Sequence, residues 1–192
     1  LTVEDNARKW ITSSPKAFCN TDDKKILGQV LNDYDLETQD FFRWKVRYGR
    51  DEISKLIEER SGFKIGRLSA LVPILRGVSG RLIKMEIIGD NDSMIIGKEL
   101  IIRRYLSESH LKSSAFVVDY YDAQDNLIPS ESIEEAAKTD HPVDFDHIVL
   151  TGAGWGHGVG LCQIGAAVMA YNGYNYKQIL QHYYPGSEIT RK

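Results

Sequence analysis

The part of the sequence best suited to chemistry is a glycine-rich stretch that also holds a tryptophan, a histidine and a cysteine. It runs from Thr151 to Ala167, reads TGAGWGHGVGLCQIGAA, and carries Trp155, His157 and Cys162 among six glycines. Glycine costs extra backbone entropy in regular structure, so this density needs a geometric reason. The reason is either a series of turns with positive φ or a close approach of the main chain to another group. Both indicate a site.

Three kinds of site could use this stretch. A phosphate-binding loop fits its glycines, but no Walker lysine and no βαβ unit accompany them. A cysteine nucleophile would use Cys162 near a helix N-terminus, with His157 as its base. A carbohydrate site would stack a sugar ring on Trp155, while His157 hydrogen-bonds a hydroxyl or acetamido group.

Each of these side chains also has a purely structural interpretation. Trp155 could be a core anchor under the loop, and Cys162 a small buried residue on a packed helix face. His157 could be a satisfied structural histidine or a metal ligand.

Regular elements must hold the stretch from both sides. His147–Leu150 is apolar and predicts a strand that runs directly into it. Leu161–Tyr171 has apolar residues on one helical face with Gly173 as a stop, and a second helix is predicted at Tyr176–Tyr183. A strand, a glycine loop and a helix in this order bring backbone N–H groups and the positive helix end to one point.

The remaining elements indicate an α+β fold with a mostly antiparallel sheet, short helices packed on it and two helices at the C-terminus. Residues 1–25 predict an irregular lead-in interrupted by Pro15, and 122–146 predicts a surface insertion with a brief helix at Ser132–Ala137. Strands are predicted at Phe41–Tyr48, Leu68–Arg76, Arg81–Ile88, Ser93–Ile96 and Phe116–Tyr121, and helices at Asp51–Arg60 and Gly97–Ser107.

Composition limits the function classes. The 192 residues carry a net charge of −3 and 42% hydrophobic residues, which suits one globular domain and argues against a nucleic-acid partner. No apolar run is long enough for a membrane span. Because the sequence begins at Leu1, we expect a fragment or a processed protein. Cys19 and Cys162 could pair with each other, or Cys19 with a cysteine elsewhere, or both could be buried thiols.

Several segments resemble the SpoIID/LytB family, the stage II sporulation protein D type of peptidoglycan lytic transglycosylase. GWGHGVGLCQIGAAVMA (154–170) followed by YKQILQHYYPGSEI (176–189) resembles its C-terminal signature. FFRW (41–44), SGRLIKMEIIG (79–89) and LKSSAF (111–116) resemble upstream segments, so the resemblance covers most of residues 40–190.

The resemblance implies cleavage of peptidoglycan glycan strands in the cell envelope, outside the cytoplasm, with no cofactor and no metal. The family's proposed general acid is a glutamate in a Glu-Met-Pro-like motif, which this sequence lacks. We therefore expect the acid upstream of Leu1, in a SpoIID-like domain without its N-terminal part. The alternative is a noncatalytic relative that binds glycan or activates a cell-wall amidase.

By the same resemblance, the glycine stretch lines a glycan groove. The family usually has serine or another small residue at position 162, so a catalytic thiol is not implied. Gln163 could orient the loop or contact substrate, and Tyr183 and Tyr184 could wall the groove or simply pack the last helix. The residues assigned to substrate binding are Trp155, Gly156, His157, Gly158, Gly160, Gln163, Tyr183 and Tyr184.

Overall fold

The structure is a computed structural model that describes residues 1–31, 41–139 and 141–190. The sequence predicts one domain, whereas the chain divides into two compact units, Leu1–Ser13 with Arg43–His157 and Ser14–Phe42 with Gly158–Lys192. The elements in the described residues are α1 (Glu4–Thr12), α2 (Lys24–Val30), β1 (Arg43–Gly49), α3 (Arg50–Ser61), β2 (Leu68–Arg76), β3 (Leu82–Gly89), β4 (Ser93–Gly97), α4 (Glu99–Tyr105), β5 (Phe116–Tyr121), β6 (Leu127–Ile128), α5 (Ser130–Ala136), β7 (His147–Ala153), α6 (Gln163–Tyr171) and α7 (Tyr176–Tyr183).

The first unit contains two antiparallel sheets, with strand orders β1-β7-β5-β6 and β2-β3-β4. The α+β fold with antiparallel sheets is therefore confirmed. β7 lies between β1 and β5, and nearly all of its residues are buried, which explains why its sequence is apolar without alternation. This central strand leads directly into the glycine stretch.

Local sequence signals account for most of the elements in this unit. In β1, Trp44 and Tyr48 are buried while Lys45 and Arg47 are exposed, as the alternating pattern predicts. Helix α3 has acidic residues in its first turn and ends at Gly62, whose φ is 73°. The polar turn after Gly89 joins β3 to its antiparallel neighbour β4.

Tyr120 connects the two sheets of the first unit. Its ring is fully buried, and its hydroxyl accepts the Leu71 N–H at 2.8 Å and donates to the Leu71 carbonyl at 3.3 Å. Burial raises the pKa of the phenol, so it stays protonated and can donate. One side chain of β5 thus satisfies both main-chain groups of a β2 residue.

The prediction of an irregular lead-in over residues 1–25 is confirmed for residues 13–23 but is wrong for Glu4–Thr12, which form α1, and α2 begins at Lys24. Ala7 and Ile11 of α1 are fully buried, and the helix packs on β5 and β7. Glu4 receives two hydrogen bonds from the buried Arg76, at 2.6 and 2.7 Å, which fix the start of the helix to β2. Pro15 follows the helix end at Thr12 and does not interrupt it. The i, i+4 spacing of Ala7 and Ile11 was the available signal.

Part of the segment 122–146, predicted as a surface insertion, contributes to the core of the first unit. Residues Leu127 and Ile128 pair with β5, and the predicted brief helix is confirmed as α5, two residues earlier than expected at its start. Ile133 and Phe145 are buried in the main hydrophobic cluster. Many of the other residues between 122 and 146 are exposed.

Glu134 on α5 makes the stability of the first unit pH-dependent. Burial, and then the neighbouring carboxylates of Glu4 and Glu131, raise the pKa of Glu134 to about 7 from 4.5. Because the folded pKa is raised, the contribution of Glu134 to stability is fully present below pH 4.5 and is lost as the pH rises through about 7. We expect Glu134→Gln to raise the free energy of unfolding by about 1–2 kcal/mol above pH 7, a value discounted for partial exposure.

Urea denaturation at pH 4.5 and at pH 8 checks this expectation, with Glu135→Gln, an exposed neighbour on the same helix, as the control. The gain from Glu134→Gln is expected only at pH 8, and the control should change little at either pH. A gain of the same size at both pH values would contradict the burial of an ionisable Glu134.

The second unit is helical in its described residues. Helix α2 packs on α6, and α6 contacts α7. Asp23 caps α2 by accepting the Lys25 N–H at 2.9 Å. Both C-terminal helices are confirmed, and Gly173, with a φ of 87°, follows α6 as the sequence predicts. None of the helices in the described part of the chain has the length and hydropathy that a bilayer crossing requires.

Candidate functional site

The structure gives a backbone reason for each glycine of the stretch from Thr151 to Ala167. Gly152 and Gly165 are approached so closely by aromatic side chains that a Cβ would lie 2.1 Å from Trp44 Cζ2 or from Tyr183 Oη, respectively. The other four alternate along the chain and have positive φ, which L-residues with side chains rarely adopt. These are Gly154 (69°), Gly156 (87°), Gly158 (71°) and Gly160 (83°).

Hydrogen bonds with buried and partly buried neighbours fix the first part of the loop in the first unit. Ser113 Oγ donates to the Ala153 carbonyl at 2.7 Å, and Trp44 Nε1 donates to the Gly154 carbonyl at 3.0 Å. At Gly156, the N–H donates to the Lys112 carbonyl at 2.7 Å and the carbonyl accepts Arg81 Nε at 3.1 Å. The main chain on both sides of Trp155 is therefore held in place.

Trp155 projects from this fixed main chain. Its side chain is 42% exposed, whereas Trp44 below the loop is 2% exposed. The core anchor of the loop is thus Trp44, and the structural interpretation of Trp155 as that anchor is wrong. The Lys112 ammonium lies 5.8 Å from the centroid of the Trp155 ring, within cation–π range. An exposed indole beside an ammonium donor can stack on a ring and donate hydrogen bonds to its substituents.

The two residues that follow Trp155 differ in exposure. Gly156 is partly buried and His157 is exposed. Among the residues that the structure describes, no group of three or more His, Cys, Asp and Glu side chains is placed to hold a metal ion. Arg81 is partly buried against the loop, and desolvation lowers the pKa of its guanidinium, although a nearby carboxylate, Glu99, opposes the shift.

The other predicted site residues belong to the second unit. Gly158, Gly160 and Gln163 are exposed, and Gln163 is the first residue of α6. Tyr184 is exposed as well, and its hydroxyl lies close to Gly160, where a Cβ would be 3.2 Å away. Tyr183 is only partly exposed because its hydroxyl packs on Gly165. The predicted binding set is therefore divided between the two units after His157.

The sulfur of Cys162 is the N-cap group of α6. It accepts the Gly165 N–H at 3.4 Å and a hydrogen bond from the Cys19 thiol. The hydrogen bond from Cys19, with smaller effects from the Gly165 and Ile164 amides, lowers the pKa of Cys162 to about 6 against the opposing effect of burial. Burial, followed by the neighbouring sulfurs, raises the pKa of Tyr183 to about 12. In the second unit, the partners of the Cys162 sulfur thus include Cys19 and the main-chain amides of Gly165 and Ile164.

Arg81 and Lys112 contact the loop, but sequence reasoning did not assign them to the site. Both lie in segments that carry the family resemblance, SGRLIKMEIIG and LKSSAF. An arginine at the start of a buried strand and a lysine before a buried Ser-Ser pair were the available signals. The pairing of these segments with the glycine stretch depends on the order of strands in space, which the sequence pattern does not show.

Short regions of the chain are similar to known proteins. An uncharacterized protein of Brachyspira hyodysenteriae is 55% identical over 43 residues, 22% of this chain and 12% of that protein. The amidase enhancer of Bacillus subtilis is 43% identical over 47 residues, 24% of this chain and 7% of that protein. Stage II sporulation protein D of Bacillus amyloliquefaciens is 46% identical over 43 residues, 22% of this chain and 12% of that protein.

Each of these matches spans about a tenth of the relative's length. They relate the chain in part to stage II sporulation protein D and to a protein named for enhancing an amidase, which indicates a cell-wall-related function. The family described as "Domain of unknown function (DUF8618)" matches residues 1–160, most of the chain. The chain therefore belongs to the DUF8618 family.

Proposed function

We propose that this chain binds peptidoglycan glycan strands in the cell envelope and positions them for cleavage of the lytic transglycosylase type. The observation that carries the proposal is Trp155, a half-exposed indole on a loop whose main chain is fixed on both sides. The partial similarity to stage II sporulation protein D supports a cell-wall-related function, and the resemblance to the SpoIID/LytB family implies glycan as the ligand.

The chemistry of this loop suits an amino-sugar polymer. A pyranose ring has an apolar face that stacks on indole, and its acetamido carbonyl accepts hydrogen bonds from a donor such as the Lys112 ammonium. Because the loop is held by Trp44, Ser113 and Arg81 before any ligand arrives, binding costs little ordering of the main chain. His157, exposed beside Trp155, adds a donor or acceptor for a sugar hydroxyl.

In the reaction proposed, a general acid protonates the glycosidic oxygen between N-acetylmuramic acid and N-acetylglucosamine. The C6 hydroxyl of the muramic acid then bonds to its own C1 and loses its proton to the same group, so no water is consumed. We assign the acid to sequence outside Leu1–Lys192. In the first unit, the loop around Trp155 serves to bind substrate. In the second unit, the exposed Gly158, Gly160, Gln163 and Tyr184 serve the same purpose, while the Tyr183 hydroxyl packs on Gly165 of α6.

Incubation of the natural full-length protein with purified glycan strands tests the cleavage. We expect products with anhydro-muramoyl ends, detected by mass spectrometry, and none from the Leu1–Lys192 chain alone. Binding by the full-length protein without such products would reject the cleavage and leave the binding. Failure to bind glycan at all would reject the whole proposal.

A second candidate is a noncatalytic module that stimulates a cell-wall amidase. It is favoured by the match to a protein named amidase enhancer. Addition of the chain to a purified amidase acting on peptidoglycan would then raise the rate of peptide release. If the chain acts only in glycan cleavage, the rate of peptide release by the amidase should stay unchanged.

A further inference from the structure

Cys19 and Cys162 meet in the second unit although they are far apart in sequence. The Cys19 thiol hydrogen-bonds to the Cys162 sulfur, and both sulfurs lie near the Tyr183 hydroxyl, whose ionisation they disfavour. Both side chains are partly buried, and the structure contains them as thiols.

The segment that carries Cys19 is held in place by its neighbours. The Phe18 ring makes edge-to-face contacts with Tyr174, at 5.6 Å between centroids, and with His182, at 5.4 Å. The Asn20 N–H donates to the Ala17 carbonyl at 3.0 Å and closes a turn around the cysteine. Contacts of the residues before and after Cys19 therefore hold this segment in the second unit.

Cys162 has the surroundings of an attacking thiolate. Its sulfur sits at the N-terminus of the nine-residue α6, where it accepts the Gly165 N–H and faces the positive end of the helix. Gly165 has no side chain, so the Tyr183 hydroxyl packs directly beside this position. A thiolate with a second thiol in hydrogen-bond contact is the arrangement found before a disulfide closes.

We propose that Cys19 and Cys162 are a redox pair that closes to an intrachain disulfide and locks the turn at Cys19 onto the N-terminus of α6. The oxidant is a small-molecule or protein disulfide. The Cys162 thiolate attacks one of its sulfurs and releases the other as a thiol. Cys19 then loses its proton, attacks Cys162 and expels the second thiol, so two electrons pass from the pair to the oxidant.

Oxidised glutathione, applied to the reduced folded chain at neutral pH, tests the pair. We expect one peptide linked through Cys19 and Cys162 in a nonreducing digest, with no glutathione retained. Closure of the mixed disulfide should be at least about tenfold faster in the folded chain than in urea, because folding raises the effective concentration of the second thiol. The melting temperature should rise by roughly 5 °C or more on oxidation and return on reduction.

The two single serine variants define the order of attack. In Cys19→Ser, Cys162 should keep a stable glutathione adduct because no second thiol resolves it. In Cys162→Ser, we expect glutathione to add to Cys19 at least about tenfold more slowly than it adds to Cys162 in the first variant. Any of three results would overturn the proposal. They are two stable glutathione adducts on the wild-type chain, a disulfide between two chains, and no reaction before the chain unfolds. The wild-type result decides this even if a variant fails to fold.

Discussion

Gly152→Ala is expected to lower the free energy of unfolding by about 3 kcal/mol or more. Gly152 lies opposite Trp44 on one neighbouring strand and opposite Phe116 on the other. A Cβ would sit 2.1 Å from Trp44 Cζ2 and 2.2 Å from Cε2. Since the Trp44 ring is buried and rigid and its Nε1 holds the Gly154 carbonyl, the ring cannot move aside without releasing the loop.

Urea denaturation of the purified variants measures this change. Gly97→Ala is a matched control because Gly97 also lies in a strand, and its nearest neighbour would be 3.6 Å from the added Cβ. We expect the control to change the free energy of unfolding by about 0.5 kcal/mol or less. If both variants were equally stable, the close packing of Trp44 on the central strand would be wrong.

Trp155→Ala is expected to weaken binding of soluble glycan-strand fragments by roughly tenfold or more, since stacking on an indole contributes about 1–2 kcal/mol. The fold should be retained, because the hydrogen bonds that fix the loop come from other side chains and from its main chain. Isothermal titration gives the dissociation constant, and the thermal unfolding midpoint confirms the fold.

Phe63→Ala is the matched control for Trp155→Ala. Phe63 lies in the same unit and is 38% exposed, close to the 42% of Trp155, but it follows the end of α3. We expect wild-type affinity from this control. His157→Ala should fall between the two, with a loss of a few-fold, because one hydrogen bond to a hydroxyl is removed. An equal loss in Trp155→Ala and Phe63→Ala would mean that exposed aromatic area in general, and not the loop, binds glycan.

Much of the fold could be predicted because the local signals were strong. The bounds of β2, β5 and α7 agree with the sequence pattern residue by residue. Helix α1 was missed because its buried face has only Ala7 and Ile11, and its ion pairs, Glu4 with Arg76 and Arg8 with Asp119, join residues far apart in the chain. The burial of Ile133 and Phe145 was likewise missed, because the polar residues around them in the sequence leave no apolar pattern that would indicate core positions.

The sequence predicted where the candidate site lies better than it predicted which side chains contact the loop. The density of glycines correctly indicated positive φ and close approach of other groups. It could not show that the Trp44 ring contacts Gly152 or that the Tyr183 hydroxyl contacts Gly165. The choice between Trp44 and Trp155 as the buried indole needed the strand register. The contact of Cys19 with Cys162 depends on the packing around Phe18, which no spacing reveals.

The most direct test of glycan binding through the loop is cosedimentation with insoluble peptidoglycan. The account predicts that the wild-type chain and Phe63→Ala sediment with the polymer, that soluble glycan strands release them, and that Trp155→Ala stays in the supernatant. Equal sedimentation of all three, or no release by soluble strands, would contradict it.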